Sequence, residues 1–182
     1  MKITRQWAMP NKNTYDIPPI SNLIKRYISG DWVDPFVGYS KFGHLCSVTN
    51  DFNPEIPAKY HLEALEFLQK LDSNSYDGVF LDPPYSLRQV KEVYNEIGRD
   101  VLQWETQNGY FKKHKIEIAR ILKVGGVALC FGWNSGGIGM NNLMQMEEVL
   151  LFLMEEHTTT QSSLWSEKLR NKRTYLQVKA NK

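Results

Sequence analysis

The chain predicts an α/β fold, a mostly parallel sheet that ends in a C-terminal antiparallel hairpin. Short apolar runs such as Gly78-Val79-Phe80-Leu81 and Val127-Ala128-Leu129-Cys130-Phe131 read as strands buried on both faces. Segments of helical period lie between the runs. The runs end at an acid, a proline or a glycine, residues that stop a ladder or turn it.

From the N-terminus, Trp7 to Thr14 leads into Ile17-Pro18-Pro19-Ile20 and a helix over Ser21 to Ile28. Proline is tolerated in a first helical turn, where the N–H has no partner anyway. Asp31-Trp32-Val33 is the next strand, followed by the loop Asp34-Pro35-Phe36-Val37-Gly38. Ser47 to Asp51 is a second strand with an acid at its tip. The stretch from Gly38 to Cys46 is too short for a full crossover helix. Pro54 and Pro57 oppose helix between Asp51 and Tyr60. Glu63 to Leu68 is helical, then comes the strand Gly78–Leu81.

Ser86 to Ile97 places Leu87, Val90, Val93 and Ile97 on one helical face. Gly98 to Gly109 is irregular and carries Trp104, a core plug or part of a lid. Leu122-Lys123-Val124-Gly125-Gly126 ends a helix, the paired glycines suiting a left-handed stop before the next strand. A glycine-rich loop runs from Gly132 to Gly139 with Trp133, Asn134 and Ser135. Glu148 to Met154 is a strand with Thr159 to Leu169 as its antiparallel partner.

Composition bounds the class. The chain has 182 residues, 42% hydrophobic and 23% charged, as expected of a single globular domain over 1–182 with a basic tail at 170–182. No apolar run is long enough for a membrane span and no secretory pattern opens the chain, so a cytoplasmic location is expected. Cys46 and Cys130 read as buried thiols in a reducing compartment, and the scattered histidines predict no metal site. The net charge of +2 is small, but Lys168, Arg170, Lys172, Arg173, Lys179 and Lys182 crowd one end. Lys112, Lys113, His114 and Lys115 form a second basic group, and Lys2, Arg5 and Lys12 a third. Such patches attract phosphates by counterion release; singly, each reads equally as a solvated face.

The chemistry concentrates at Asp82-Pro83-Pro84-Tyr85. Neither proline has an N–H, so the strand stops at Asp82. An acid, a carbonyl and a ring are then displayed at the carboxyl end of a strand, where open α/β sheets bind ligands. This motif resembles that of the amino-methyltransferases, which move a methyl group from S-adenosylmethionine (SAM) to an exocyclic nitrogen of adenine or cytosine. The resemblance implies that the Asp82 carboxylate and the Pro83 carbonyl accept the two amine hydrogens, and that Tyr85 stacks on a flipped-out base. The gain is orientation and electrostatics.

The neighbours follow the same family's order. Asp34-Pro35-Phe36-Val37-Gly38 resembles its SAM loop, with Ser40 where a second glycine is usual. Asp51 stands where an acid takes the ribose hydroxyls, with Asn53 and Glu55 as competitors. Glu63-Ala64-Leu65 resembles the segment whose acid meets the adenine of SAM. Asn13 and Thr14 occupy the place of an element folding over the methionine end, although the family's lysine there is missing. The resemblance, strongest to small phage-type adenine-N6 DNA methyltransferases, implies a reduced Rossmann-like methyltransferase sheet. It gives DNA contacts to Arg88, Lys112, Lys113, Trp133, Asn134, Arg170, Lys172 and Arg173. Little length remains for a target-recognition domain. A thinly covered sheet flank predicts a homodimer or a docked partner. Cytosine-N4, an RNA base, or a silent SAM- or DNA-binding protein stand as alternatives.

Overall fold

The computed structural model describes residues 2–9, 11, 13–84, 98, 110–132, 137–139, 144–153 and 179–180. Its strands are β1 (Lys2–Trp7), β2 (Trp32–Asp34), β3 (Val48–Thr49), β4 (Tyr76–Leu81), β5 (Leu122–Cys130), β6 (Met144–Gln145), β7 (Glu148–Leu153) and β8 (Lys179–Ala180). The described helices are α1 (Pro18–Tyr27), α2 (Ala64–Gln69) and α3 (Tyr110–Ile121), with 3-10 turns at Thr14–Asp16 and Gly43–Leu45.

The main sheet has the order β3-β2-β4-β5-β8-β6. β3, β2, β4 and β5 are mutually parallel, and β8 runs antiparallel to both β5 and β6. The chain leaves β2 for β3 on one side, then returns to β4 on the other. The carboxyl ends of β2 and β4 therefore flank a topological switch point, the crevice where such sheets take ligands. This is the Rossmann-like sheet expected from the sequence, mostly parallel with its antiparallel part near the C-terminus.

Period-two alternation feeds two cores. Trp32, Phe80, Leu129 and Phe131 face α1, with Ile20, Leu23 and Ile24. Val33, Val79, Leu81, Ala128 and Cys130 face α2 and α3, with Phe67, Leu68, Ile118 and Ile121. The Trp32 indole lies over Gly78, its register partner; a Cβ there would come within 2.0 Å of the ring. No L-residue with a side chain fits at Gly78 without moving Trp32.

Several connections agree with the sequence. Between β2 and β3 there is only the 3-10 turn Gly43–Leu45 in place of a crossover helix. α3 ends at Ile121, as a helix stopping near Leu122 requires, but β5 already begins at Leu122. Pairing passes from Tyr76↔Leu122 to Gly78↔Val127, so Lys123 to Gly126 bulge out of the ladder, with Gly125 at φ 80°.

Other expectations are corrected. β7 pairs with β1 in a separate parallel ribbon, register Lys2↔Glu148 to Trp7↔Leu153. β1 is too polar and exposed to announce itself as a strand; the apolar β7 supplies the packing. The ribbon is tied to α1 by Glu148, a buried carboxylate that meets Arg26 at 3.0 Å, Lys2 at 3.4 Å and the Tyr27 hydroxyl at 2.9 Å. Cys46 follows the 3-10 turn and is only half-buried, whereas Cys130 is buried in β5; both are free thiols. The Ser86–Ile97 helix, Trp104 and the Thr159–Leu169 strand lie outside the described residues. Among the described residues no helix is long and apolar enough to cross a membrane.

Candidate active site at the strand tips

Three aspartates stand at the carboxyl ends of neighbouring strands: Asp34 on β2, Asp51 beyond β3 and Asp82 beyond β4. They do not group to hold a metal ion. Each carboxyl is used differently.

Asp34 is fully buried. Its Oδ1 accepts the Phe36 N–H at 3.0 Å, which closes the loop into an Asx turn. Its Oδ2 finds no hydrogen-bond partner among the described residues. Burial pushes this carboxyl up to about 8, and the nearby Asp82 and Asp51 charges act in the same direction. Asp34 therefore keeps its proton to a higher pH than an ordinary carboxyl does.

Asp51 fastens the same loop from the other side. Its Oδ2 accepts the Gly38 N–H at 2.9 Å and its Oδ1 the Asn53 N–H at 2.9 Å. Each oxygen keeps a second lone pair for a ligand hydroxyl. The Asn53 side chain is taken up by the Glu55 N–H at 2.9 Å, and Glu55 itself is exposed. Gly38 has φ 48°, and a Cβ on it would meet no atom within 4 Å. The loop thus turns bare backbone toward open space.

Asp82 begins where β4 must stop. The Phe131 N–H donates to Leu81 O at 2.9 Å, after which the prolines end the ladder. Pro83 is buried; Asp82 and Pro84 are half-buried. Burial pushes the Asp82 carboxyl up to about 6, and a hydrogen bond from the Thr14 side chain opposes that rise. Thr14 reaches it because the next residue, Tyr15, is wedged into the core. The Tyr15 ring lies 5.3 Å from Phe80 and 5.0 Å from Phe131, just before and just beyond the strand tips. Asp16 bonds Asn13 Nδ2 at 3.0 Å and Lys41 Nζ at 3.0 Å, tying this turn to the segment after the Gly38 loop. The Thr14 side chain thus meets Asp82, and the Asn13 amide donates to Asp16.

Glu63 is the N-cap of α2. Its Oε2 accepts the Leu65 N–H at 2.9 Å and the Glu66 N–H at 3.3 Å. Its Oε1 lies 3.5 Å from His114 Nε2. Phe36 is half-buried, its ring 6.2 Å from that of His114.

The basic group on α3 needs correction. Lys112 and Lys113 are exposed as expected, but His114 is fully buried. His114, Ile118 and Ile121 recur at helical spacing on the inward face. Sequence reasoning also passed over Asn50, which is fully buried. Its Nδ2 donates to Pro35 O at 3.1 Å and Leu62 O at 3.0 Å, and its Oδ1 accepts the Leu62 N–H at 2.9 Å. Asn50 thus joins the loop after β2 to the residue before Glu63. An amide beside a strand tip was the available signal. Tyr85, Arg88, Trp133, Asn134, Arg170, Lys172 and Arg173 lie outside the described residues.

No family model matches the sequence, and no curated protein matches it either. Solved structures do. A SAM-dependent methyltransferase from Archaeoglobus fulgidus is similar over 89% of this chain and 91% of its own, with 12% identity and a TM-score of 0.52. The putative methyltransferase yhhF from Escherichia coli is similar over 96% and 90%, with 11% identity and a TM-score of 0.50. At such identities the likeness establishes the fold.

Proposed function

We propose that this chain methylates the exocyclic N6 amine of adenine in DNA, using SAM. The observation that carries the reading is the tip of β4. Asp82 stands there beside the switch-point crevice, its strand ended by two prolines and its carboxyl held by Thr14. The fold shared with solved methyltransferases supports the same reaction class.

The crevice suits a nucleoside-bearing sulfonium. Open space borders Gly38, Asp51 offers acceptor lone pairs at the strand tip, and Glu63 holds a carboxylate near Phe36. When bound, SAM supplies an electrophilic methyl group. Asp51 would take the ribose hydroxyls, Glu63 the adenine amine, and the backbone at Gly38 the methionine end.

The chain's own work is on the target amine. That nitrogen is a poor nucleophile because its lone pair is delocalised into the ring. An ionised Asp82 would accept one amine hydrogen and the Pro83 carbonyl the other, which pulls the nitrogen toward a tetrahedral shape and withdraws its lone pair from conjugation with the ring. Tyr85 follows directly in sequence and would stack on the base. Burial of the Asp82 carboxyl strengthens its interaction with the amine. The exposed Lys112 and Lys113 and the basic tail provide phosphate contacts.

Calorimetry with SAM and transfer of tritiated methyl to DNA and to RNA test the reading. Label in N6-methyladenine of DNA is the expected result. Label confined to RNA, or SAM binding with no transfer to either, would overturn the substrate assignment.

A further inference from the structure

His114 sits on a helix whose sequence, Lys112-Lys113-His114-Lys115, advertises a solvated surface. Its imidazole is nevertheless fully buried. Burying a polar ring costs free energy unless its nitrogens are matched, so such a ring in a core needs a reason. Contacts with three described residues place it. Nε2 lies 3.5 Å from Glu63 Oε1, Phe36 faces the ring at 6.2 Å with planes 30° apart, and Phe111 stands 5.4 Å away. The ring thus touches the loop after β2, the cap of α2 and its own helix.

Glutamate is not among the favoured N-cap residues, because its longer side chain must be held to reach the first turn. Here Oε2 is held by two backbone N–H groups. Its other oxygen, Oε1, turns toward the buried imidazole of His114. The same imidazole backs the ring of Phe36, so one buried residue lies against both the carboxylate and the aromatic wall.

We propose that His114 is a positioning residue for the cofactor's nucleobase subsite, holding Glu63 and Phe36 in the arrangement that accepts an exocyclic amine. This rests on the assignment of Glu63 to the adenine of SAM and deepens it. His114 acts through Glu63. Its signature is therefore selectivity for the amine-bearing purine, beyond any general loss of affinity.

Calorimetry with S-adenosylhomocysteine and S-inosylhomocysteine, which carries a carbonyl in place of the amine, reads this directly on the full chain. The native protein should prefer the adenine compound by at least about tenfold, because a site built around an N–H donor rejects an analogue lacking it. Glu63→Gln should erase most of that preference. His114→Ala should cut it several-fold while changing S-inosylhomocysteine binding little, and His114→Gln, which keeps a donor near Nε2, should restore part of it. Circular dichroism confirms that each variant is folded. If Glu63→Gln erases the preference but both His114 variants keep it, or if His114→Ala weakens the two compounds equally, the positioning role is overturned and the Glu63 assignment stands. A native protein without preference overturns both, and one that binds neither compound overturns the cofactor reading as well.

Discussion

Asp34 and Asp82 end adjacent parallel strands, and burial raises both carboxyls, yet to different points. Asp34 reaches about 8 and Asp82 about 6. Asp34 is fully enclosed and feels the charges of Asp82 and Asp51. Asp82 is half-buried and receives a hydrogen bond from Thr14. The first therefore holds its proton to a higher pH than the second. The pair teaches that one sheet edge can give the same residue type two different proton affinities. What separates them is enclosure and the neighbouring dipoles.

The largest test of that division is Asp82→Asn. It keeps the size but removes the ionised acceptor, so methyl transfer should fall by about 10²–10³-fold or more, the scale for losing one electrostatic contact to reacting atoms. Calorimetric SAM affinity should change little; retained activity would place the chemistry elsewhere.

Asp34→Asn should act on stability. Asp34 is raised from 3.8 to about 8, so between those values the folded state holds a proton that the unfolded state has lost. Stability then falls as pH rises through that window, by at most about 1.4 kcal/mol per pH unit from one group. Asparagine cannot titrate and keeps an acceptor for the Phe36 N–H. Urea unfolding at pH 5 and pH 8 should show the variant gaining on the native protein at the higher pH. An equal difference at both would mean that Asp34 is ionised throughout.

Thr14→Val should narrow the gap between the two acids. For the native enzyme, kcat/KM should fall as pH drops through about 6, where Asp82 takes up a proton. Without the hydroxyl, Asp82 becomes harder to ionise and this limb moves to higher pH. Thr14→Ser should bring it back. An unmoved limb would mean that another group controls it.

Gly38→Ala is the mildest probe. The positive φ costs an L-residue about 1–2 kcal/mol, but no atom stands within 4 Å of the new Cβ. Chemical denaturation should show a loss of about that size, with Asp82-dependent transfer retained once SAM saturates. A larger loss would mean that the loop beside Asp34 is packed more tightly than its geometry indicates.

How much was legible follows from the range of each interaction. The end of β4 was readable at Pro83 and Pro84 because a missing N–H is a local fact. The short link between β2 and β3 was readable from chain length alone. β1 was not readable, since Lys2 to Trp7 is polar and its partner β7 lies far along the chain. His114 was hidden among lysines. Its burial depends on which face of α3 meets α2, and no local pattern of charge records that.

The order of residues by itself determined where strands must stop and which acids stand at their tips, because proline, glycine and apolar period act through the backbone over a few positions. Folding decided what each acid does. Thr14 reaches Asp82, Asp51 reaches Gly38 and His114 reaches Glu63 only once the sheet has closed. Enclosure and neighbouring charge then raise Asp34 above Asp82, since the cost of holding a charge depends on the surroundings that distant segments build.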